Sequence, residues 1–263
     1  MSREEKEPKE SEKIAVMATR DGILLKLLIS GPCTFLYLLK TCLYFESDSA
    51  LRQRLAQLIR SGHIKSRSYR DEKTGHKFSL YVLGPAGVRF VVRNKDCTVD
   101  EIRNMLPSVH TVAHELVLTD IVRKLRWESD RIGHRLCYYD DPKCRGHRHL
   151  LNITGPVSDL MVDITLVDIT VPYRLLVEVD MGSVALLEMV DRTLKQEHMV
   201  IFICTEQGRI DQLQDAMRGH DKLSDMVFFA TAYEFCRQPG GVFGTNFLDL
   251  GGSLVSFYPT KRD

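Results

Sequence analysis

Hydrophobic positions near the start of the chain repeat with the period of an α-helix and are interrupted by turn residues. The first stretch covers residues 21–30, opens at Asp21, a residue type that caps helices, and is ended by a Gly-Pro pair. Thr34 can cap a second short helix. A third helix is predicted to begin at Ser47 or Asp48, because leucine and isoleucine then recur along one helical face.

The pattern changes to alternation after the third helix. Residues 64–69 and 77–83 alternate between polar and apolar types, and the polar residues 70–76 separate them, which predicts a β-hairpin. Three short helices followed by such a hairpin are typical of a winged helix-turn-helix domain, which we assign to residues 19–95. Some winged helices bind proteins instead of DNA, and that alternative stays open at this point.

The distribution of charge favours DNA as the partner of this domain. Residues 21–95 carry thirteen Lys and Arg against five Asp and Glu, whereas residues 159–234 carry six against fourteen. A basic surface attracts the phosphate backbone of double-stranded DNA. The polar face of the third helix and the hairpin supply the residues predicted to contact DNA, which are Arg52, Gln53, Arg54, Gln57, Arg60, Lys65, Arg67, Lys73 and Lys77.

The second half of the chain has the mixed helical and strand patterns of an α/β domain. A linker is expected at residues 96–107, and residues 108–263 are assigned to one domain. The predicted elements, in order, are a helix from residue 108, strands at 134–139, 159–166 and 173–180, a helix at 183–196, a strand at 198–204, a helix at 208–218 and a strand at 226–230.

Three acidic residues of this domain lie where two strands are predicted to pair. Glu178 and Asp180 are two positions apart in one strand, so their side chains leave the same face of the sheet. Asp159 comes beside them if the two strands form a hairpin. Mg²⁺ and Mn²⁺ prefer oxygen ligands, so we expect Asp159, Glu178 and Asp180 to hold one of these ions. A solvated strand end is the simpler alternative.

A resemblance to a known fold follows from this order of elements. The pattern P-x-x-D ending at Asp159, E-x-D beginning at Glu178 and a following helix that carries Lys195 resembles the restriction-endonuclease-like PD-(D/E)xK core. A winged helix joined to such a core is similar to the replication-relaxation family, which includes plasmid mobilisation relaxases of the MobC type. The resemblance covers residues 20–235. It implies an α+β protein that nicks DNA at an origin of transfer or replication, with other relaxosome or replication proteins as partners.

The resemblance also implies roles for single residues. Asp159 and Glu178 would hold the metal ion, Glu115 would help through water or a second ion, and Lys195 would orient the attacking water. The family motif has Lys two residues after the Glu, whereas position 180 of this chain is Asp, so Lys195 would have to reach back from the next helix. The alternative is a non-catalytic replication or transcription factor that binds DNA and uses a nuclease-like domain as a scaffold.

Two further groups of residues suggest other chemistry. Cys137, Cys144, His147 and His149 are zinc-ligand types, but their spacing matches no common zinc finger. A relaxase with a tyrosine nucleophile would pair histidines on a strand with a residue such as Tyr138. Here the two histidines fall in an expected loop.

Composition narrows the class of protein. The chain has 263 residues, of which 44% are hydrophobic and 27% charged, as in globular proteins. Residues 1–18 are mostly polar and charged, so we expect a disordered tail and not a secretory signal. No apolar run approaches the ~20 residues that a membrane span needs. Seven scattered cysteines without a CxxC pair favour reduced thiols. We therefore expect a cytoplasmic protein.

Overall fold

The computed structural model describes residues 20–42, 44–45, 47–71, 74–132, 135–165, 173–237, 242 and 245–257. The chain divides into two compact units, Met1–Val109 and His110–Asp263, and each unit has its own sheet. The tail expected at residues 1–18 lies outside the described part of the chain. Helices and mixed sheet together confirm the α+β class that the sequence predicts.

The first unit contains four α-helices and a three-stranded sheet within its described residues. The helices are α1 (Arg20–Leu27), α2 (Phe35–Thr41), α3 (Asp48–Arg60) and α4 (Pro85–Arg93). The strands are β1 (Cys33–Thr34), β2 (Ile64–Arg70) and β3 (Lys77–Leu83), paired antiparallel in the order β1-β3-β2. Three helices, a hairpin and a closing helix follow one another in the element order of a winged helix.

Local signals set the beginnings of α2 and α3. Thr34 Oγ1 accepts a hydrogen bond from Tyr37 N at 3.1 Å, and Ser47 Oγ accepts one from Ala50 N at 3.2 Å, so both residues cap their helices as predicted. The apolar faces of the helices and the hairpin base form one core. Its completely or almost completely buried leucines are Leu24, Leu25, Leu28, Leu38, Leu51, Leu55, Leu58 and Leu83.

Two glycines bring the start of α4 against the base of the hairpin. A Cβ atom on Gly84 would lie 2.3 Å from Gly62 O, and one on Gly87 would lie 2.2 Å from His63 O. Gly84 N donates a hydrogen bond to His63 O at 2.8 Å. This close backbone approach needs glycine at both positions and joins the hairpin firmly to the helices.

Residues 96–107, which the sequence predicts as a linker, pack on the first unit. Ile102 is buried in the core of that unit. Arg103 donates hydrogen bonds from its backbone and its side chain to carbonyl groups that follow α1. Pro107 O accepts a hydrogen bond from Tyr69 Oη at 2.8 Å. The segment therefore belongs to the first unit and contacts β2 through Tyr69.

The second unit is built around a larger sheet. Its described α-helices are α5 (Val112–Ile132), α6 (Asp141–Gly146), α7 (Leu186–Leu194), α8 (Gln207–Met217) and α9 (Ala232–Arg237). Its described strands are β4 (Arg135–Asp140), β5 (Leu160–Thr165), β6 (Tyr173–Asp180), β7 (Met199–Cys204), β8 (Val227–Thr231), β9 (Asn246–Leu248) and β10 (Leu254–Ser256).

The seven strands lie side by side in the order β10-β9-β8-β7-β6-β5-β4. Strands β4, β5 and β6 pair antiparallel, β6, β7 and β8 pair parallel, and β9 and β10 return antiparallel. Leu160 of β5 lies opposite Val177 of β6. The hairpin that the sequence predicts between these two strands is therefore formed, and it brings the end of β6 beside the start of β5.

Helices cover both faces of this sheet. One face packs with α5 and α9 through a cluster that includes Leu118, Ile121 and Phe235. The other packs with α7 and α8 through a cluster that includes Met189 and Leu213. The strands are apolar on both faces for this reason, as in other covered sheets. None of the helices in the described residues is both long enough and apolar enough to cross a membrane.

Candidate functional site

The outward face of α3 is the first candidate site, and it carries polar and basic side chains. Arg52, Gln53 and Arg60 are exposed, while the leucines on the opposite face are buried in the core. The capped start of the helix and its 13-residue length hold this face along one straight element. Such a face can enter the major groove of DNA, where arginine and glutamine meet base edges and phosphates.

Arg52 is held in place by an aromatic ring. Its guanidinium carbon lies 4.0 Å from the centroid of the Phe35 ring at the start of α2. A cation over a ring face is attracted by the ring quadrupole, and the contact restricts the arginine to one region of the surface. The exposed guanidinium still has donor groups for a phosphate.

Arg54 does not lie on the exposed face with its neighbours. Its Nε donates to Asp21 Oδ1 at 2.7 Å, and its Nη2 donates to Asp21 Oδ2. Asp21 is only 3% exposed and lies inside the first turn of α1, where it pairs with Arg54 instead of capping the helix. The hydrogen bonds to Asp21 raise the pKa of Arg54. These contacts correct the expectation that Arg54 faces DNA.

The hairpin provides exposed cations, as the sequence predicts. Lys65, Arg67 and Lys77 are exposed, and Arg70 lies opposite Lys77 across the two strands. Like charges at directly opposed positions repel one another, so their proximity favours an anionic partner at the wing. The prediction for Lys73 lies outside the described residues.

Arg67 differs from the other hairpin cations in that its side chain contacts Tyr69 and Pro107. Its guanidinium carbon lies 5.6 Å from the centroid of the Tyr69 ring, and its Nη1 is 3.5 Å from Pro107 O. The hydrogen bond to the Pro107 carbonyl group is long. The other N–H groups of the guanidinium can bind a phosphate.

The end of β6 is the second candidate site. Glu178 and Asp180 leave the same face of the sheet as Leu176, as their spacing predicts, but this face is covered by α7 and α8. Both acids are buried: Glu178 is 7% exposed and Asp180 is 2% exposed. The alternative of a solvated strand end is therefore wrong.

Asp180 is paired with a cation from α8. Arg209 Nε lies 2.6 Å from Asp180 Oδ2, and Arg209 Nη2 donates to Val184 O at 2.6 Å. The other oxygen, Asp180 Oδ1, accepts a hydrogen bond from Gly182 N at 2.7 Å. Both carboxylate oxygens therefore already have protein partners, which corrects the expectation that Asp180 binds a metal ion.

Asp159 lies just before β5 and bridges two elements. Its Oδ2 accepts a hydrogen bond from Val179 N at 2.8 Å and lies 3.1 Å from His114 Nε2 of α5. The β5–β6 register makes Asp159 the neighbour of Glu178 across the strands. The sequence predicts this proximity of the two carboxylates, but it gives no signal for His114 as the partner.

Glu178 lies beneath α7 and has a strongly shifted pKa. Burial and the nearby charge of Asp159 raise the pKa of Glu178 from 4.5 to about 7, and they outweigh the opposite effects of Arg192, Ser158 and His114. Arg192 Nη2 lies 3.5 Å from Glu178 Oε1. Burial and the charge of Asp159 therefore favour the protonated form of Glu178.

Lys195 does not take the position that the resemblance implies. Lys195 Nζ donates to Asp191 Oδ2 at 2.6 Å, and both side chains are largely exposed. The cation next to Glu178 is Arg192, one turn earlier in α7. Glu115 accepts a hydrogen bond at its backbone oxygen from Thr119 Oγ1, and its side chain is half-buried.

The donor set does not fit a divalent cation. Among the described residues, no group of three or more His, Cys, Asp and Glu side chains is arranged to hold a metal ion. Asp180 is neutralised by Arg209, and Arg192 and His114 lie beside the other two carboxylates. Arg209 and Arg192 stand where Mg²⁺ or Mn²⁺ would supply positive charge, so the predicted three-carboxylate arrangement is not formed.

The other two constellations are also not assembled within the described part of the chain. Cys144 is buried and its thiol donates to Tyr139 O at 3.3 Å, while His147 and His149 are exposed. Tyr138 is buried, and its hydroxyl accepts a hydrogen bond from an arginine of α5 at 3.3 Å. No zinc site is therefore formed among the described residues, and Tyr138 is not accessible as a nucleophile.

Comparisons with known proteins give limited information. No protein-family model matches the sequence, and no curated protein matches it. Among solved structures, Bacillus subtilis PadR in complex with operator DNA aligns with 58% of this chain and 82% of its own, at 15% identity and a TM-score of 0.23.

Proposed function

We propose that this chain is a DNA-binding protein whose first unit contacts double-stranded DNA. The observation that carries the proposal is the exposed face of α3, with Arg52, Gln53 and Arg60 opposite a buried leucine face. This face belongs to the same unit as the exposed cations of the β2–β3 hairpin. A polar helix of this kind reads a groove while cations on a neighbouring element neutralise phosphates.

The charge of the region supports this function over a protein-interaction module. Residues 21–95 carry eight more basic than acidic residues. Counterions are released when Lys and Arg neutralise the phosphates of DNA. Their release makes a large favourable contribution to the free energy of DNA binding at low salt. A protein-binding winged helix would not need Arg70 and Lys77 directly opposite one another at the tip of its hairpin.

For the second unit we propose a restriction-endonuclease-like fold. The succession α5, β4, α6, β5, β6, α7, β7 supports it, since three antiparallel strands, with a short helix after the first, are followed by a helix and a strand parallel to β6. The positions of Asp159 and Glu178 on adjacent strands support it as well. Membership of the replication-relaxation family, and a role with other relaxosome or replication proteins, remain hypotheses that rest on the sequence resemblance.

We further propose that the second unit is a non-catalytic scaffold. Arg209 neutralises Asp180, and Arg192 lies beside Glu178, so the acids have protein cations as partners. A metal-dependent nuclease needs carboxylates that are free to bind its ion. We therefore propose a replication or transcription factor and not a nicking enzyme.

The binding proposal is tested with the full chain and a fluorescent duplex pool of random sequence. Arg52→Ala and Arg60→Ala should each weaken the affinity measured by anisotropy by roughly tenfold, because each removes a charged contact. Arg218→Ala, which removes an equally exposed arginine from α8's end in the second unit, is the matched control and should leave the affinity unchanged. Equal affinity for all four proteins would contradict the proposal.

A further inference from the structure

Consecutive hydrogen bonds link Asp21, Arg54 and Gln57, and they fix the side chain of Gln57 on α3. Arg54 is anchored by both of its bonds to the buried Asp21, and its remaining terminal nitrogen, Nη1, donates to Gln57 Oε1 at 2.7 Å. Asp21 belongs to α1, whereas Arg54 and Gln57 lie one turn apart on α3. The position of the Gln57 carboxamide is therefore set by a buried carboxylate on another helix.

The chemistry of arginine decides which way the amide of Gln57 is turned. A guanidinium has only donors, so the atom of Gln57 that faces Arg54 Nη1 has to be the oxygen. The amino group, Nε2, then forms the other arm of the carboxamide. Within the described residues, Nε2 donates to no protein group, and Gln57 lines an open recess of about 380 Å³ beside α3.

We propose that Gln57 reads guanine in the major groove through its amino group alone, an inference that rests on the proposed function of α3. A glutamine with both arms free pairs with adenine, accepting from N6 and donating to N7. In this chain the accepting arm is already engaged by Arg54. Guanine presents two acceptors, O6 and N7, to a donor. Adenine presents one acceptor beside an unmatched N6 donor, thymine presents one acceptor beside a methyl group, and cytosine presents only a donor.

Arg54 is thus a positioning residue for Gln57 and does not itself contact DNA. The same geometry predicts what happens when the anchor is removed. If Asp21 and Arg54 are replaced together by apolar residues, no buried charge is left unpaired, and the oxygen of Gln57 becomes free to accept. The glutamine can then pair with adenine in the usual two-bond manner.

The test is selection from a randomised duplex pool by the full chain, followed by sequencing of the bound DNA. The wild type should select guanine at one position, and Gln57→Ala should reduce that preference about tenfold there and at no other position. The double substitution Asp21→Leu and Arg54→Met should extend the preference at the same position to adenine. Gln57→Glu, which has no donor, should lose guanine.

Gln53→Ala is the matched control, because Gln53 lies one turn earlier on α3 and, among the described residues, accepts no hydrogen bond from a guanidinium. Its effect should fall on a different base pair. If the wild type selects a sequence but Gln57→Ala leaves every position unchanged, or if the wild type selects adenine at the Gln57 position, the inference is wrong while DNA binding stands. If the wild type binds no duplex DNA, the proposed function itself fails, and this inference fails with it.

Discussion

Arg209 Nε lies 2.6 Å from Asp180 Oδ2, and this buried pair puts a protein cation where the sequence predicts a metal ion. The pair connects the end of β6 with the first turn of α8, and the side chains of Asp180 and Arg209 are 1% and 14% exposed. A carboxylate at the end of a buried strand needs compensating charge, and in this chain an arginine provides it. The charge of Asp180 is therefore neutralised by a residue of the same chain.

Breaking this pair should destabilise the second unit strongly. Arg209→Met removes the cation and leaves Asp180 buried and unpaired, so the free energy of unfolding should fall by about 3–5 kcal/mol. Asp180→Leu combined with Arg209→Met should recover most of that loss, because neither charge remains. Urea unfolding followed by circular dichroism measures both effects. Arg218→Met, at an exposed pair with Asp215, should change stability by less than about 1 kcal/mol. Equal losses in the free energy of unfolding for Arg209→Met and Arg218→Met would contradict the stabilising role of the buried pair.

Glu178 should make the stability of the second unit depend on pH. Its folded pKa of about 7 is above the ordinary value of 4.5, so the folded state holds a proton that the unfolded state has lost. Stability should therefore fall as pH rises from about 4.5 to 7, and then level off. Since one pKa unit corresponds to about 1.4 kcal/mol, the expected fall is a few kcal/mol.

Glu178→Gln should remove that part of the pH dependence. The variant keeps the size and polarity of the side chain but cannot ionise, so its stability should exceed that of the wild type at pH 8 and approach it at pH 5. Chemical denaturation across this pH range measures the difference. Glu188→Gln, at an exposed position of α7, should retain the slope of the wild type. A wild type whose stability rises across this range, with no effect of Glu178→Gln, would show that Glu178 is ionised when buried.

Gly87 should be essential for packing the hairpin base against α4. In Gly87→Ala the new Cβ atom would meet the backbone oxygen of His63 at 2.2 Å, and a backbone atom cannot move aside as a side chain can. We expect a loss of about 1–3 kcal/mol in the free energy of unfolding. Gly208→Ala, in the first turn of α8 where nothing lies within 4 Å, should be neutral or slightly stabilising. Similar effects of the two substitutions in urea unfolding would contradict this role for Gly87.

Much of the fold could be predicted from periodicity. The caps at Thr34 and Ser47, the hairpin after α3 and the placement of Glu178 and Asp180 on one face all follow from local spacing. The sequence predicts a linker at residues 96–107, whereas these residues pack on the first unit, because they contact distant positions such as Tyr69. Local patterns do not contain that information.

The partners of the charged side chains could not be predicted in the same way. Arg54 has the residue type and the helix of a DNA contact, but its partner, Asp21, is 33 positions away. Asp180 and Arg209 are 29 positions apart. The resemblance implies Lys195 because the family motif needs a lysine, yet in the structure it is Arg192 that lies beside Glu178. Long-range ion pairs depend on the tertiary fold, which spacing alone does not give.

Nicking should be absent if the second unit is a scaffold. Wild type and Glu178→Gln should leave supercoiled plasmid equally intact with Mg²⁺, Mn²⁺ or EDTA, because the acids are already paired with protein cations. Adding Mn²⁺ should also leave the Tm of the wild type unchanged, since an ion that binds the folded state would raise it. Gel electrophoresis and thermal unfolding give the two readouts. Metal-dependent nicking that Glu178→Gln abolishes would restore the enzyme hypothesis.

The salt dependence of DNA affinity tests the central claim most directly. Anisotropy titrations of the full chain on one duplex should give a linear plot of log affinity against log salt, with a slope of about −0.9 for each phosphate neutralised. The double variant Arg52→Ala and Arg60→Ala should have a slope smaller in magnitude by about 2, whereas Arg218→Ala should keep the slope of the wild type. A wild-type affinity that does not change with salt, or a double variant with an unchanged slope, would contradict binding through α3.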